Sequence, residues 1–199
     1  MNDNKVYKEG YKDGLKFAIN VARSYGISEE FINRLERESQ GENDETAIKL
    51  VYGETYLVYE KRNTKGMEIV SGIAEQGVPL IVMSRDTKSN IASFKNVKFA
   101  PITYEESLGG FNPAQLSQIQ EFVINNFTER GVLYIDCLDY IFSTSNSVQN
   151  VIRFLTVLKD KVLDRKGIFI LSLNKNTMGK AELSLIEKEF KNTIKIRTD

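Results

Sequence analysis

Apolar residues recur at helical spacing over the first forty positions and, from Thr46 on, in short runs divided by helical segments. Tyr7, Tyr11, Leu15, Ala18, Ala22 and Tyr25 stand three or four apart, which places them on one face of an amphipathic helix. Gly26 stops that helix, and Ser28 is a natural N-cap for a second, short one in which Phe31, Ile32 and Leu35 turn inward. The polar stretch SQGENDE at 39–45 reads as a linker. The pattern predicts a helical hairpin over residues 1–40, too small to bury its own stripe, and a second domain over residues 46–199.

Strand and helix patterns alternate through that second domain. TYLVYE (55–60), PLIVMSR (79–85), VKFAPIT, the start of GVLYIDCLDYIF (131–142), IFILSL (168–173) and TIKIR are the strands. MEIVSGIAEQG, closed by Gly77, lies between the first two, and a helix from about Ser147 to Arg165 precedes IFILSL. KAELSLIEKEF is the last helix. In NPAQLSQIQEFVINNF, Asn112 is expected to cap, Pro113 to take the first helical position and Gln115 to complete a capping box. IFILSL is apolar throughout, as a strand buried on both faces must be. The alternation predicts a three-layer α/β domain with a mainly parallel sheet and right-handed crossovers.

Composition narrows the chemistry. The chain has no histidine and one cysteine, Cys137, inside an apolar run. Histidine-dependent triads, an internal disulfide and nearly every zinc site are thereby excluded, which leaves oxygen-ligand metals such as magnesium. The 27 basic and 27 acidic side chains cancel, so no overall field gathers nucleic acid or an anionic membrane. The polar start MNDNKVYKEG and the lack of a long apolar run point to the cytoplasm.

Candidate chemistry gathers at strand ends. YIDCLDY carries Asp136 at the end of a β-forming run, where P-loop ATPases hold magnesium, and Asp139 three residues on. The complementary phosphate loop should follow TYLVYE. There the chain reads KRNTKGMEI, with a single glycine and Lys65–Gly66 in the reverse of the phosphate-loop order. Lys61, Arg62 and Lys65 can still meet an anion at the next helix N-terminus, or simply be solvated. Asp136 is either a magnesium ligand or a structural cap. Arg85 with Asp86, and Asn174 with Lys175, are candidates by position. In YKEGYKDG, Gly10 and Gly14 share a helix face, as close helix approach or a frayed first turn would allow.

The order GETYLVYEK, GVPLIVMSR, NPAQLSQIQEFV, GVLYIDCLDYIF, NVIRFLTVLKD and AELSLIEKEF resembles the archaeal domain of unknown function 835 from about Val51 to Ile196. That resemblance implies a RecA/KaiC-like fold whose phosphate loop has decayed, and a regulatory or scaffolding role. Cys137 stands where family members commonly have glycine, and Asp139 takes the acidic place.

The sequence reading is thus a non-catalytic signalling or protein-interaction adaptor without a cofactor. Its protein partner, or a second copy, would meet the face of Tyr7, Tyr11, Leu15 and Tyr25. The alternative is a divergent nucleotide-binding protein with weak or no hydrolysis. It would hold ATP phosphates near Lys61, Arg62, Lys65 and Arg85, and magnesium on Asp136 beside Asp139.

Overall fold

The computed structural model describes residues 3–27, 32, 35–36, 50–61, 64–86, 90–145 and 147–195. It divides into two compact units, Met1–Lys49 and Leu50–Asp199.

In the first unit, helix α1 spans Asp3–Ser24. It ends as predicted at Gly26, whose φ of 67° is one that side chains resist. Gly26 N–H donates to Arg23 O and Ile27 N–H to Ala22 O, so the exposed last carbonyls are satisfied by a Schellman closure. The buried edge of α1 is not the tyrosine-bearing face. Ile19 and Ala22 pack with Ile32, with Leu35 partly covered, whereas Tyr11 and Tyr25 are exposed. The helical residues Ile32 and Leu35 pack on the Ile19–Ala22 edge, and Arg23 pairs with Glu36 at 2.5 Å. A side chain at Gly10 or Gly14 would meet nothing within 4 Å, so among the described residues nothing makes the close approach their spacing allows. Ser28, Phe31 and the Tyr7 side chain lie outside the described residues.

The second unit is built on six parallel strands in the order β3-β2-β4-β5-β1-β6. These are β1 (Thr55–Tyr59), β2 (Leu80–Ser84), β3 (Val97–Pro101), β4 (Val132–Ile135), β5 (Ile168–Leu173) and β6 (Asn192–Lys195). The helices are α2 (Thr64–Glu75), α3 (Leu116–Asn126), α4 (Leu138–Thr144), α5 (Val148–Asp164) and α6 (Lys180–Glu189). Alternation along each strand divides the core into two layers. Leu57, Met83, Ile135 and Leu171 face α3, α4, α5 and α6, while Val58, Val82, Tyr134 and Ile170 face α2. The central strands β1, β2, β4 and β5 are buried throughout, as parallel strands covered on both faces must be.

The strand in GVLYIDCLDYIF stops at Ile135, just before Asp136 as expected, and a short helix that the pattern did not name, α4, begins at Leu138. One local expectation shifts. Helix α3 starts at Leu116, with no side-chain cap from Gln115. Asn112 instead accepts from Ala114 N–H with its side chain and from Gln115 N–H with its carbonyl. Asparagine offers the backbone this local turn as an alternative to the first helical turn, and here the turn wins. Ser147 does cap α5, accepting from Asn150 N–H. Cys137 is buried, with its sulfur 3.6 Å from Met83 O.

Candidate functional site

All six strands run the same way, so their carboxyl ends share one edge, and β1, β5 and β4 are consecutive neighbours there. In open α/β sheets ligands bind outside this edge. Glu60 follows β1 and remains tied to the sheet, its N–H donating to Leu173 O on β5. Its side chain turns inward and the residue is only 8% exposed. Oε2 accepts from Lys65 N–H at 2.8 Å, and Oε1 accepts from Gly66 N–H at 3.0 Å and from the Ser172 hydroxyl at 2.5 Å.

These two N–H groups belong to the first turn of α2, where the helix supplies no partner of its own and its dipole favours negative charge. The chain thus places its own carboxylate where such a helix would take an anion. Tyr134, fully buried on β4, completes the surroundings. Among the described residues its Oη has no well-formed hydrogen bond, although the Ser172 hydroxyl lies close enough to influence it. A Cβ on residue 66 would lie 2.6 Å from that Oη and 2.7 Å from Glu60 Oε1, so only glycine fits. Burial, then the Asp136 and Glu60 carboxylates, push the Tyr134 phenol well above its usual range, against an opposing pull from Ser172.

Asp136 follows β4 and is 7% exposed. Ser84 on β2 donates its hydroxyl to Asp136 Oδ2 at 2.9 Å and accepts from Asp86 N–H at 3.1 Å. Burial raises the Asp136 carboxyl to about 7; the Ser84 hydrogen bond opposes this, while Glu60, Asp139 and Asp86 add to it. Asp139 stands in the first turn of α4, its Oδ1 accepting from Tyr140 N–H.

Lys61, Asp136, Asp139, Ser172, Asn174 and Thr177 line a cleft of about 290 Å³ above these strand ends. The structure therefore brings Lys61 together with both aspartates. It does not bring Lys65, whose ammonium pairs with Glu68 along α2 at 2.9 Å. Arg85 lies with its guanidinium 4.0 Å from the centre of the Tyr140 ring, and that ring meets Tyr104 edge-on. Arg62 is outside the described residues. Among the described residues no three acidic or cysteine side chains converge closely enough to hold a metal. With Glu60 at the α2 turn, the donor set does not fit a magnesium ion that relies on bound phosphates to complete its shell. Glu60, Tyr134, Ser172 and Thr177 were not among the sequence candidates. The available signals were a carboxylate closing an apolar strand five residues before a first-turn N–H, and one serine inside IFILSL.

A family model described as Protein of unknown function (DUF835) matches residues 59–190 of the 199. No curated protein matches the chain. Among solved structures, the protein of project PH0250 from Pyrococcus horikoshii OT3 is similar over 74% of this chain and 84% of that one, at 16% identity and a TM-score of 0.54. The flagellar accessory protein FlaH from Methanocaldococcus jannaschii is similar over 78% and 76%, at 13% identity and a TM-score of 0.53. At these identities the likeness is one of fold. The six-stranded parallel sheet with helices on both faces is of the RecA-like type.

The raised Asp136 carboxyl makes stability depend on pH. Between the ordinary value of 3.8 and about 7, the folded chain keeps a proton that the unfolded chain has lost. This contribution is full below the lower value, is lost as pH rises through the window, and is gone above about 7. Asp136→Asn, which can still accept from Ser84, is expected to flatten that slope and to stabilise the protein above the window by on the order of 2 kcal/mol. Urea unfolding of both proteins across the window is the check; an unchanged slope in the variant contradicts the assignment.

Proposed function

The chain belongs to the DUF835 family, and we propose that it is a non-catalytic regulatory or scaffolding protein that works through contacts with other proteins. The observation that carries this reading is the Glu60 carboxylate on the first turn of α2. A nucleotide phosphate approaching that turn meets a buried negative charge and has to displace three hydrogen bonds. Truncating one partner of such a buried charge-assisted network is costly, and two like charges in one site oppose each other more strongly still. Lys65, the nearest lysine on the helix, is engaged by Glu68.

The contact surface in this reading is α1. Its outward side carries Phe17 at 72% exposure and Tyr25 at 81%, with Tyr11 and Val21 also exposed and Leu15 at the margin. Gly10, Gly14, Phe17, Val21 and Tyr25 follow one another at three- and four-residue steps, a continuous stripe of glycine and apolar side chains beside the edge that Ile32 and Leu35 cover. Exposed apolar surface of this kind marks contact sites. Either a different protein or a second copy satisfies that chemistry, and a cytoplasmic setting suits both. No helix among the described residues is long and apolar enough to cross a membrane.

Two measurements test the reading. Isothermal calorimetry with ATP and magnesium should show no binding at millimolar nucleotide. Binding that Lys61→Ala or Asp136→Ala abolishes would instead establish the nucleotide-binding alternative, with the lined cleft as its site. Hydroxyl-radical footprinting of the monomeric chain should label Phe17 and Tyr25 heavily. Protection of both in the monomer would mean that the chain covers its own stripe, and the contact surface would be lost.

A further inference from the structure

Gly10 and Gly14 lie inside α1, where glycine weakens a helix relative to alanine. Space does not require them, since a Cβ at either would meet nothing within 4 Å. They are gaps in a face that Phe17, Val21 and Tyr25 continue as exposed bulk. Gly10, Gly14, Phe17 and Val21 follow at steps of four, three and four residues, the alternation of a seam between two helices. Gaps and bulk are also placed symmetrically about a point between Leu15 and Lys16. Reversing a second copy of the helix about that point sets Phe17 against Gly14 and Val21 against Gly10, and on the flank it brings Tyr11 to Ala18. A parallel copy would instead set gap on gap and Phe17 on Phe17. Charge does not oppose the reversed pairing: Asp13, whose neighbour across the seam is Asn20, is balanced by Lys16 at 3.5 Å, and Arg23 is balanced by Glu36. The exposed parts of Tyr11, Phe17, Val21 and Tyr25 come to roughly 500 Å² per copy, or about 1,000 Å² for a pair, which reaches the size at which a specific interface becomes stable.

We propose that the occupant of the α1 face is a second copy of this chain, paired as an antiparallel two-fold dimer in which Gly14 and Gly10 of each copy receive Phe17 and Val21 of the other. The inference rests on the reading above, that α1 is a contact surface, and names what covers it. Such an interface is isologous, with one stripe supplying both halves, so it closes at two copies. The two glycines, costly to a lone helix, are the sockets of the pair. An interface of this small area gives a reversible dimer that forms in the micromolar range.

The experiment is analytical ultracentrifugation of the full chain from low to several hundred micromolar, comparing the wild type, Phe17→Ala, Gly14→Leu and the double variant Gly14→Leu with Phe17→Ala. Both positions are exposed and open, and far-ultraviolet circular dichroism is the folding control. The wild type should pass from monomer to dimer within that range. Phe17→Ala empties two layers of the seam and should weaken the dimer on the order of tenfold or more. Gly14→Leu favours the helix and adds apolar surface, so it would tighten a parallel or merely adhesive pair. In the antiparallel dimer it collides with Phe17 of the other copy, and should weaken association on the order of tenfold. The double variant moves the bulk from one side of each layer to the other and should recover most of that loss. A dimer that Phe17→Ala leaves unchanged, that Gly14→Leu tightens or leaves unchanged, or that the double variant does not restore overturns the proposal. So does a wild type that stays monomeric throughout. If hydroxyl radicals still label Phe17 and Tyr25 in that monomer, the contact surface stands with a different protein as its occupant; if both are protected, the surface itself is lost, so the two readings fail separately.

Discussion

A buried carboxylate ties together the parts of the sheet edge on which everything nearby depends. Glu60 leaves β1, grips the backbone of the first turn of α2 and takes the hydroxyl of Ser172 on β5. A carboxylate so enclosed is tolerable only when it is well hydrogen-bonded, and here three donors and a helix dipole stabilise it. Leaving a buried donor unmet costs roughly 1–3 kcal/mol each. The same contact therefore anchors the helix and fixes the β1–α2 connection.

That arrangement gives the neighbouring groups their character. Gly66 has to lack a side chain because Tyr134 and Glu60 already fill its flank. Asp136 sits among other carboxylates in a poorly hydrated place, so its proton is held far above the usual acidic range. A charged lysine at Lys61 and a mixed polar lining make the cleft above it a polar recess. A RecA-like sheet thus carries its strand ends toward a polar recess, with the first turn of α2 occupied by Glu60, while exposed apolar side chains lie along α1 in the other unit.

Much of the fold was legible because its signals are local. Runs such as IFILSL and LIVMS declare strands buried on both faces, Gly26 and Gly77 mark helix ends, and Ser147 caps α5. Where two local devices competed, pattern alone chose wrongly. Asn112 closes a turn rather than a capping box, and the 7-residue helix α4 after Asp136 is too short to show a helical period of its own. The covered edge of α1 moved off the tyrosines because spacing defines a face but not which flank of it a partner helix meets. The role of Glu60 was beyond sequence reading for a different reason. Its hydroxyl partner stands 112 residues away, and the phenol beside it lies on a third strand. Only the β1-β5-β4 adjacency brings them together.

The most direct test of the central contact is amide hydrogen exchange at Lys65 and Gly66. First-turn amides have no partner within their own helix, so they ordinarily exchange fast. With Glu60 seated as described, both should be strongly protected in the wild-type chain and should lose that protection selectively in Glu60→Ala, while the amides of β1 and β5 keep theirs. Fast exchange at Lys65 and Gly66 in the folded wild-type protein would contradict the account, because the turn would then be open to solvent.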